Sequence, residues 1–121
     1  KEAPPVRVTI ERKEFGLLRP QITPFIKKLS GADRNGVLEY FNPSRTRDPI
    51  LRRSVYKILD AIHNLGVDSV QFRTMPGKPR EARTEVVLMA RDGKSALSLS
   101  VEWRFHQGEW YVEELSQPSG G

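Results

Sequence analysis

Cysteine is absent from this chain of 121 residues, which excludes a disulfide framework, a thiolate metal site and a cysteine nucleophile. The redox compartment stays open, because exported proteins can also lack cysteine. No apolar run approaches the roughly 20 residues that a membrane helix requires. Histidine occurs only at His63 and His106, in no pair at helical or strand spacing with a carboxylate, so no metal site is expected. A phosphate-cradling glycine loop and a nucleophile elbow are missing too, and no cofactor is expected. Hydrophobic residues reach only 37%. A chain of this length still buries enough surface for one core, though not for two domains.

Charge is present in quantity and unevenly. The formal net charge is +5, with 13 Lys and Arg against 7 Asp and Glu in residues 1–60 and 7 against 8 in residues 61–121. A basic half suits nucleic acid, anionic lipid head groups or an acidic partner, and it also suits solubility alone. No block of five like charges occurs, and bases are interleaved with acids, as in Arg12, Lys13 and Glu14. That interleaving disfavours nucleic acid. The chain starts at Lys1 rather than Met, and its opening KEAPP is charged and proline-rich. Residues 1–5 therefore read as a tether or leader remnant, and the protein as exported or cell-envelope associated, with a cytoplasmic protein as the alternative.

Hydrophobic periodicity divides the rest. Val6, Val8 and Ile10 alternate with Arg7, Thr9 and Glu11, which predicts a short edge strand. Thr23 and Pro24 read as the N-cap and first residue of a helix carrying Phe25, Ile26 and Leu29. Asp33 recaps a short segment with Val37, Leu38, Tyr40 and Phe41 inward, weakened by Gly36 at a cost of about 1 kcal/mol and stopped by Asn42 and Pro43. The clearest helix has Asp48 as N-cap, Pro49 behind it and Gly66 as terminator. Its Leu51, Val55, Ile58, Ile62 and Leu65 form one apolar stripe, suited to packing across a sheet.

From Val67 the period becomes two. One strand carries Val70 and Phe72 and ends near Met75, before an exposed basic loop over Gly77–Glu81. A second spans Thr84–Arg91 with a nearly continuous apolar centre, as a central strand should, and Asp92-Gly93 signals a hairpin. In the third, Leu97, Leu99, Val101, Trp103 and Phe105 alternate with Ser98, Ser100, Glu102, Arg104 and His106. Gln107 and Gly108 turn into a last strand carrying Trp110 and Val112, and residues 117–121 read as a disordered tail. The order predicts one α+β domain over residues 6–116, a curved antiparallel meander wrapped around N-terminal helices.

Two stretches carry a resemblance. LSGADRNGVLEYFNPS from Leu29 resembles the start of nuclear transport factor 2-like domains, and VEWRFHQGEWYVEEL from Val101 resembles their closing hairpin. With the helix and strands between them, the resemblance covers about residues 22–116. It implies a cone-shaped, cystatin-like fold whose sheet wraps the long helix and leaves a cavity. The family includes isomerases, dehydratases and polyketide cyclases as well as non-enzymatic binders and envelope proteins, so fold alone selects no activity. The strand at Val6 departs from the usual helical start.

Acid-base chemistry in such a cone needs an inward carboxylate or histidine with a shifted pKa. The inward positions of the meander offer none, and no catalytic residue is assigned. Tyr40, Tyr56, Trp103, Trp110 and Tyr111 are candidates to line a ligand cavity, although aromatics also fill cores. Arg45, Arg47, Arg52 and Arg53 flank a helix N-terminus and are candidates for binding an anion, or else form a solvated loop beside Asp48. The outward face with Ser98, Ser100, Glu102 and Arg104 suits a homodimer interface or solvent. The expected function is a non-catalytic ligand-binding or protein-interaction domain with an unknown small molecule or protein as partner. Its alternatives are an isomerase-like or cyclase-like enzyme acting in the cone, and an anion or nucleic-acid binder using Arg45 to Arg53.

Overall fold

The computed structural model describes the backbone of residues 3–118 and the side chains of residues 15–118. Three helices, α1 (Ala3–Ser30), α2 (Arg34–Leu38) and α3 (Pro49–Leu65), precede four strands, β1 (Val67–Pro76), β2 (Glu81–Ala90), β3 (Ala96–His106) and β4 (Glu109–Ser116). The strands form one curved antiparallel sheet in the order β1-β2-β3-β4. No described helix is long and apolar enough to cross a membrane.

Helix α3 is punctuated as its sequence dictates. The Asp48 carboxylate accepts the Ile50 N–H at 2.9 Å, Pro49 opens the first turn, and Gly66 takes the left-handed conformation at φ 70°. Val55, Ile58, Leu59 and Ile62 are buried on its inner face. Asp33 likewise caps α2 by accepting the Gly36 N–H at 3.0 Å. Gly36 serves close approach: a Cβ there would meet Asp33 Oδ2 and Lys28 Cδ at 2.6 Å.

The amino-terminal half differs from expectation. Residues 6–11 lie within α1, not in an edge strand, and α1 runs on through Thr23 instead of starting there, with Pro20 and Pro24 inside it. The alternation that suggested a strand is only three residues deep, and Val6 and Ile10 are also spaced by one helical turn. A strand there would need a neighbour for its backbone groups, whereas a helix satisfies them internally. Each internal proline costs a helix roughly 3 kcal/mol. Both prolines sit on the exposed side, while Leu18, Ile22, Phe25, Ile26 and Leu29 are buried on the other. Five buried side chains at roughly 1.5–3 kcal/mol each outweigh two prolines. Of the stretch read as a tether, Lys1 and Glu2 lie outside the described residues and Ala3–Pro5 open α1. Of the tail, Ser119, Gly120 and Gly121 also lie outside them.

The sheet follows its period-two pattern. Register pairs Val70 with Leu88 and Leu88 with Leu97, and Thr74 with Thr84 and Thr84 with Val101, placing one apolar row after another on the inner face. Ala82, Val86, Leu99, Trp103, Trp110, Val112 and Leu115 complete that face, and all are buried. Positive φ at both Gln107 (52°) and Gly108 (83°) gives the hairpin geometry whose twist matches the flanking strands. Between β3 and β4 the register shifts at Glu102/Trp103, so that Glu113 is the unmatched residue of a bulge. Beyond β4, Phe41 forms a parallel bridge to Val112, and the Tyr40 carbonyl accepts the Val112 N–H at 2.7 Å. That contact ties the segment after α2 to the sheet edge.

The β2–β3 loop is built on one carboxylate. Asp92 accepts the backbone N–H groups of Lys94 and Ser95 at 2.8 and 2.9 Å and the Ser95 hydroxyl at 3.0 Å. These bonds, the Ser95 backbone first, hold its pKa below the ordinary carboxylate value.

Two predictions follow from this packing. Leu99→Ala and Ile58→Ala each remove a buried side chain and should cost about 2–5 kcal/mol in urea melts; less than about 1 kcal/mol for both would contradict the assigned faces. Because the Asp92 pKa is depressed on folding, its contribution is complete above the unfolded-chain value and is lost as pH falls through the lower folded value. Asp92→Asn should therefore flatten the acid side of the stability curve. Identical urea midpoints against pH for the two proteins would refute that role.

Candidate functional site

Among the described residues, aromatic and aliphatic side chains of the helices pack against the inner face of the sheet. Phe25 of α1 stands edge-on to Trp103 of β3, with ring centroids 5.2 Å apart and planes at 73°. It also meets Tyr40, at 5.1 Å and 65°. Edge-to-face geometry puts positive ring edges on negative ring faces, worth about 0.5–1.5 kcal/mol per pair beyond area burial. The Trp103 indole N–H donates to Thr84 Oγ1 at 3.0 Å, and the Thr84 hydroxyl shares a second hydrogen bond with that of Thr74 at 2.7 Å. Among the described residues, Thr84 is the one buried polar or charged residue, and both bonds are satisfied within the sheet. One further shielded atom, Gln21 Oε1, lies on α1 a turn before Phe25 and has no hydrogen-bond partner.

The five aromatic candidates therefore separate. Trp103 and Trp110 are buried, with 2% and 5% of their surface exposed, and Trp110 packs on Phe105 at 5.3 Å. Tyr40 is half-buried against Phe25. Tyr111 is half-buried, and its hydroxyl bonds Glu109 Oε1 at 3.4 Å. Tyr56 is on α3, where the Arg34 guanidinium lies over its ring at 4.5 Å while donating to Asp60 Oδ1 at 3.0 Å.

The arginine candidates also separate. Arg45, in the turn before α3, pairs with Glu113 at 3.9 Å, so the β4 bulge aims a carboxylate at it. Arg52 and Arg53 lie on α3 and line an open groove of about 480 Å³ with Pro49, Tyr56, Lys57 and Asp60. Arg47 is exposed between these two places. Lys57 and Arg34 were not legible as partners of the set. Lys57 had a signal, the helical spacing from Arg53, whereas Arg34 arrives through the α2–α3 packing.

A second concavity, of about 300 Å³, lies at the end of the sheet, where the buried Ala82 and Trp103 of the inner face meet Glu81, Arg83, Glu102, Arg104 and Glu113 in its wall. Its charges are largely internal pairs: Arg83 with Glu102 at 3.8 Å and Arg104 with Glu81 at 3.4 Å. Arg73 and Glu85 add a third pair at 3.6 Å on the same outer face. His63 and His106 are exposed on separate elements, and no group of metal-ligating side chains occurs among the described residues.

No family model and no curated protein matches this chain. Solved structures do. A protein from Campylobacter jejuni described as an NTF2-like transpeptidase superposes with a TM-score of 0.60 at 16% identity, over 79% of this chain and 97% of that one. A designed NTF2-like protein superposes with a TM-score of 0.57 at 14% identity, over 83% of this chain and 95% of that one. Helices followed by a curved, unclosed four-stranded antiparallel sheet, with these neighbours, give the chain the nuclear transport factor 2-like fold.

Proposed function

We propose that this domain is a non-catalytic interaction module that works through its outer surface. The observation that carries the reading is the Phe25 ring packed against both Trp103 and Tyr40, on the side of the sheet where a cone-shaped domain would hold a ligand. Acid-base catalysis needs an ionisable group facing a dry cavity, and among the described residues the fully buried side chains are apolar except for Thr84. Acyl transfer, the chemistry in the description of the Campylobacter jejuni neighbour, needs a nucleophile bonded to a base. The hydroxyls of Ser30, Ser44, Thr46, Thr74, Thr84, Ser95 and Tyr111 bond instead to carbonyls, to carboxylates, to the Asn42 side chain or to one another. What the surface offers is charge, paired on the sheet and in part unpaired on the helices and loops.

A cavity probe tests this reading. Indole or benzene at saturating concentration should leave the melting temperature of the wild-type domain unchanged. Phe25→Ala should lose about 3–5 kcal/mol and recover part of it when benzene fills the space left. A wild-type domain that melts higher with either compound contains an open cone, and the ligand or enzyme reading replaces this one whether or not Phe25→Ala folds.

A further inference from the structure

An unclosed sheet has two edges, and this one treats them differently. The β4 edge is occupied: the Tyr40 carbonyl accepts the Val112 N–H, and Phe41 bridges to Val112. At the other end, β1 pairs with β2 alone. The phase of that ladder follows from its turn, where the Gly77 N–H donates to the Glu81 carbonyl at 2.9 Å. Hydrogen-bonded and non-hydrogen-bonded pairs alternate along antiparallel strands. Met75, Arg73 and Gln71 therefore direct their backbone groups to β2, while Thr74, Phe72 and Val70 direct theirs outward. The Oγ atoms of Thr74 and Thr84 agree, standing 2.7 Å apart as close-set side chains of a non-hydrogen-bonded pair do. Among the described residues, no backbone group bonds to β1 from its open side.

Sheet edges are commonly blocked by prolines, bulges or charge. Strand β1 carries its bulge at Val67/Ser69 and its proline at Pro76, one at each end, and Ser69 to Met75 lie open between them. The single charge in that stretch, Arg73, is paired with Glu85 at 3.6 Å, so no uncompensated charge there repels a second strand. In the middle, Phe72 is 41% exposed although it lies on the inner face, opposite Val86. Val70, on the same face, is half-buried. A strand that completes this edge brings apolar side chains opposite Phe72 and Val70 and polar ones on the other face. Strand β1 itself has that pattern.

We propose that the open edge of β1 pairs antiparallel with β1 of a second copy, about a two-fold axis at Gln71. In this register Val70 stands opposite the partner's Phe72, and Phe72 opposite the partner's Val70, each couple exchanging two backbone hydrogen bonds because both residues direct their groups outward. Gln71 meets the partner's Gln71 amide to amide, and Arg73 stands opposite the partner's Ser69, far from the other guanidinium. An axis at Phe72 would instead set Val70 against a threonine and bring the two arginines to diagonal positions. Because the β4 edge is occupied in both copies, the pairing consumes the open edges and closes at a dimer. The proposal rests on the reading that the domain works through its surface, and it names the partner.

The chain has no cysteine, so single cysteines report the register. Gln71→Cys falls on the axis in a non-hydrogen-bonded pair, with Cα atoms about 4.5 Å apart and within disulfide reach. Mild oxidation should convert most of it to covalent dimer. Ser69→Cys, on the same outer face, lies roughly 13 Å along the strand from its mate and should give none. In sedimentation equilibrium the wild-type mass should rise toward twice that of one chain as concentration increases to about 1 mM. Phe72→Lys puts a charge on the edge and should weaken association about tenfold or more, with circular dichroism confirming its fold; the cysteine pair decides the question if it does not fold. A monomeric wild type throughout that range would overturn the proposal and leave the edge to a strand of another protein. So would equal cross-linking of the two cysteine variants, or a dimer that a folded Phe72→Lys leaves intact. A monomer whose interior is still closed to benzene would remove the second copy and leave the surface-interaction reading standing.

Discussion

One aromatic ring holds the architecture in register. Phe25 reaches from α1 into the concave face of the sheet and meets Trp103 and Tyr40 edge-on. Trp103 is in turn fixed to β2 through Thr84, and Thr84 to β1 through Thr74. Tyr40 is fixed to β4 by its backbone carbonyl. A single side chain thereby links α1, through the residues it touches, to all four strands and the segment after α2. The constraint explains why α1 tolerates two prolines: their cost is local and solvent-facing, while the stripe that includes Phe25 is packed along its length.

The parts legible in the sequence are those where local and tertiary preferences agree. Asp48, Pro49 and Gly66 bound α3 to the residue, because capping chemistry and burial ask for the same ends there. The alternation from Leu97 to Phe105 gave β3 its faces, since a single residue of slip would have reversed them. Residues 6–11 and Thr23 misled because preference and packing disagree: three alternating residues and a capping pair are weak local signals, and a buried stripe overrides them. The site was legible only in part. The cluster read as Arg45 to Arg53 is contiguous in sequence, yet the β4 bulge takes Arg45 toward Glu113, while α2 brings Arg34 to Tyr56 from 22 positions away. Neither displacement has a period or a motif.

The division of labour that results is physical. Inside, aromatic and aliphatic side chains pack against the curved sheet, and the one buried hydroxyl among the described residues serves that packing. Outside, the sheet neutralises its charges in cross-strand pairs, which are weak individually but leave little net field. On the helices and loops, Arg19, Lys27, Arg47, Arg52, Arg53, Lys57, Lys78, Arg80 and Lys94 have no carboxylate partner among the described residues. The surface is thus uneven in the one property, uncompensated charge, that steers association.

The account stands on the closed interior. Xenon detected by ¹²⁹Xe exchange in solution tests it most directly, because xenon enters dry apolar cavities without needing any polar contact. The account predicts chemical-shift perturbation no greater than that of a surface, with the methyl groups of Leu99, Val101 and Ile58 unaffected. A saturable xenon site among those methyl groups would show an open cone and contradict it.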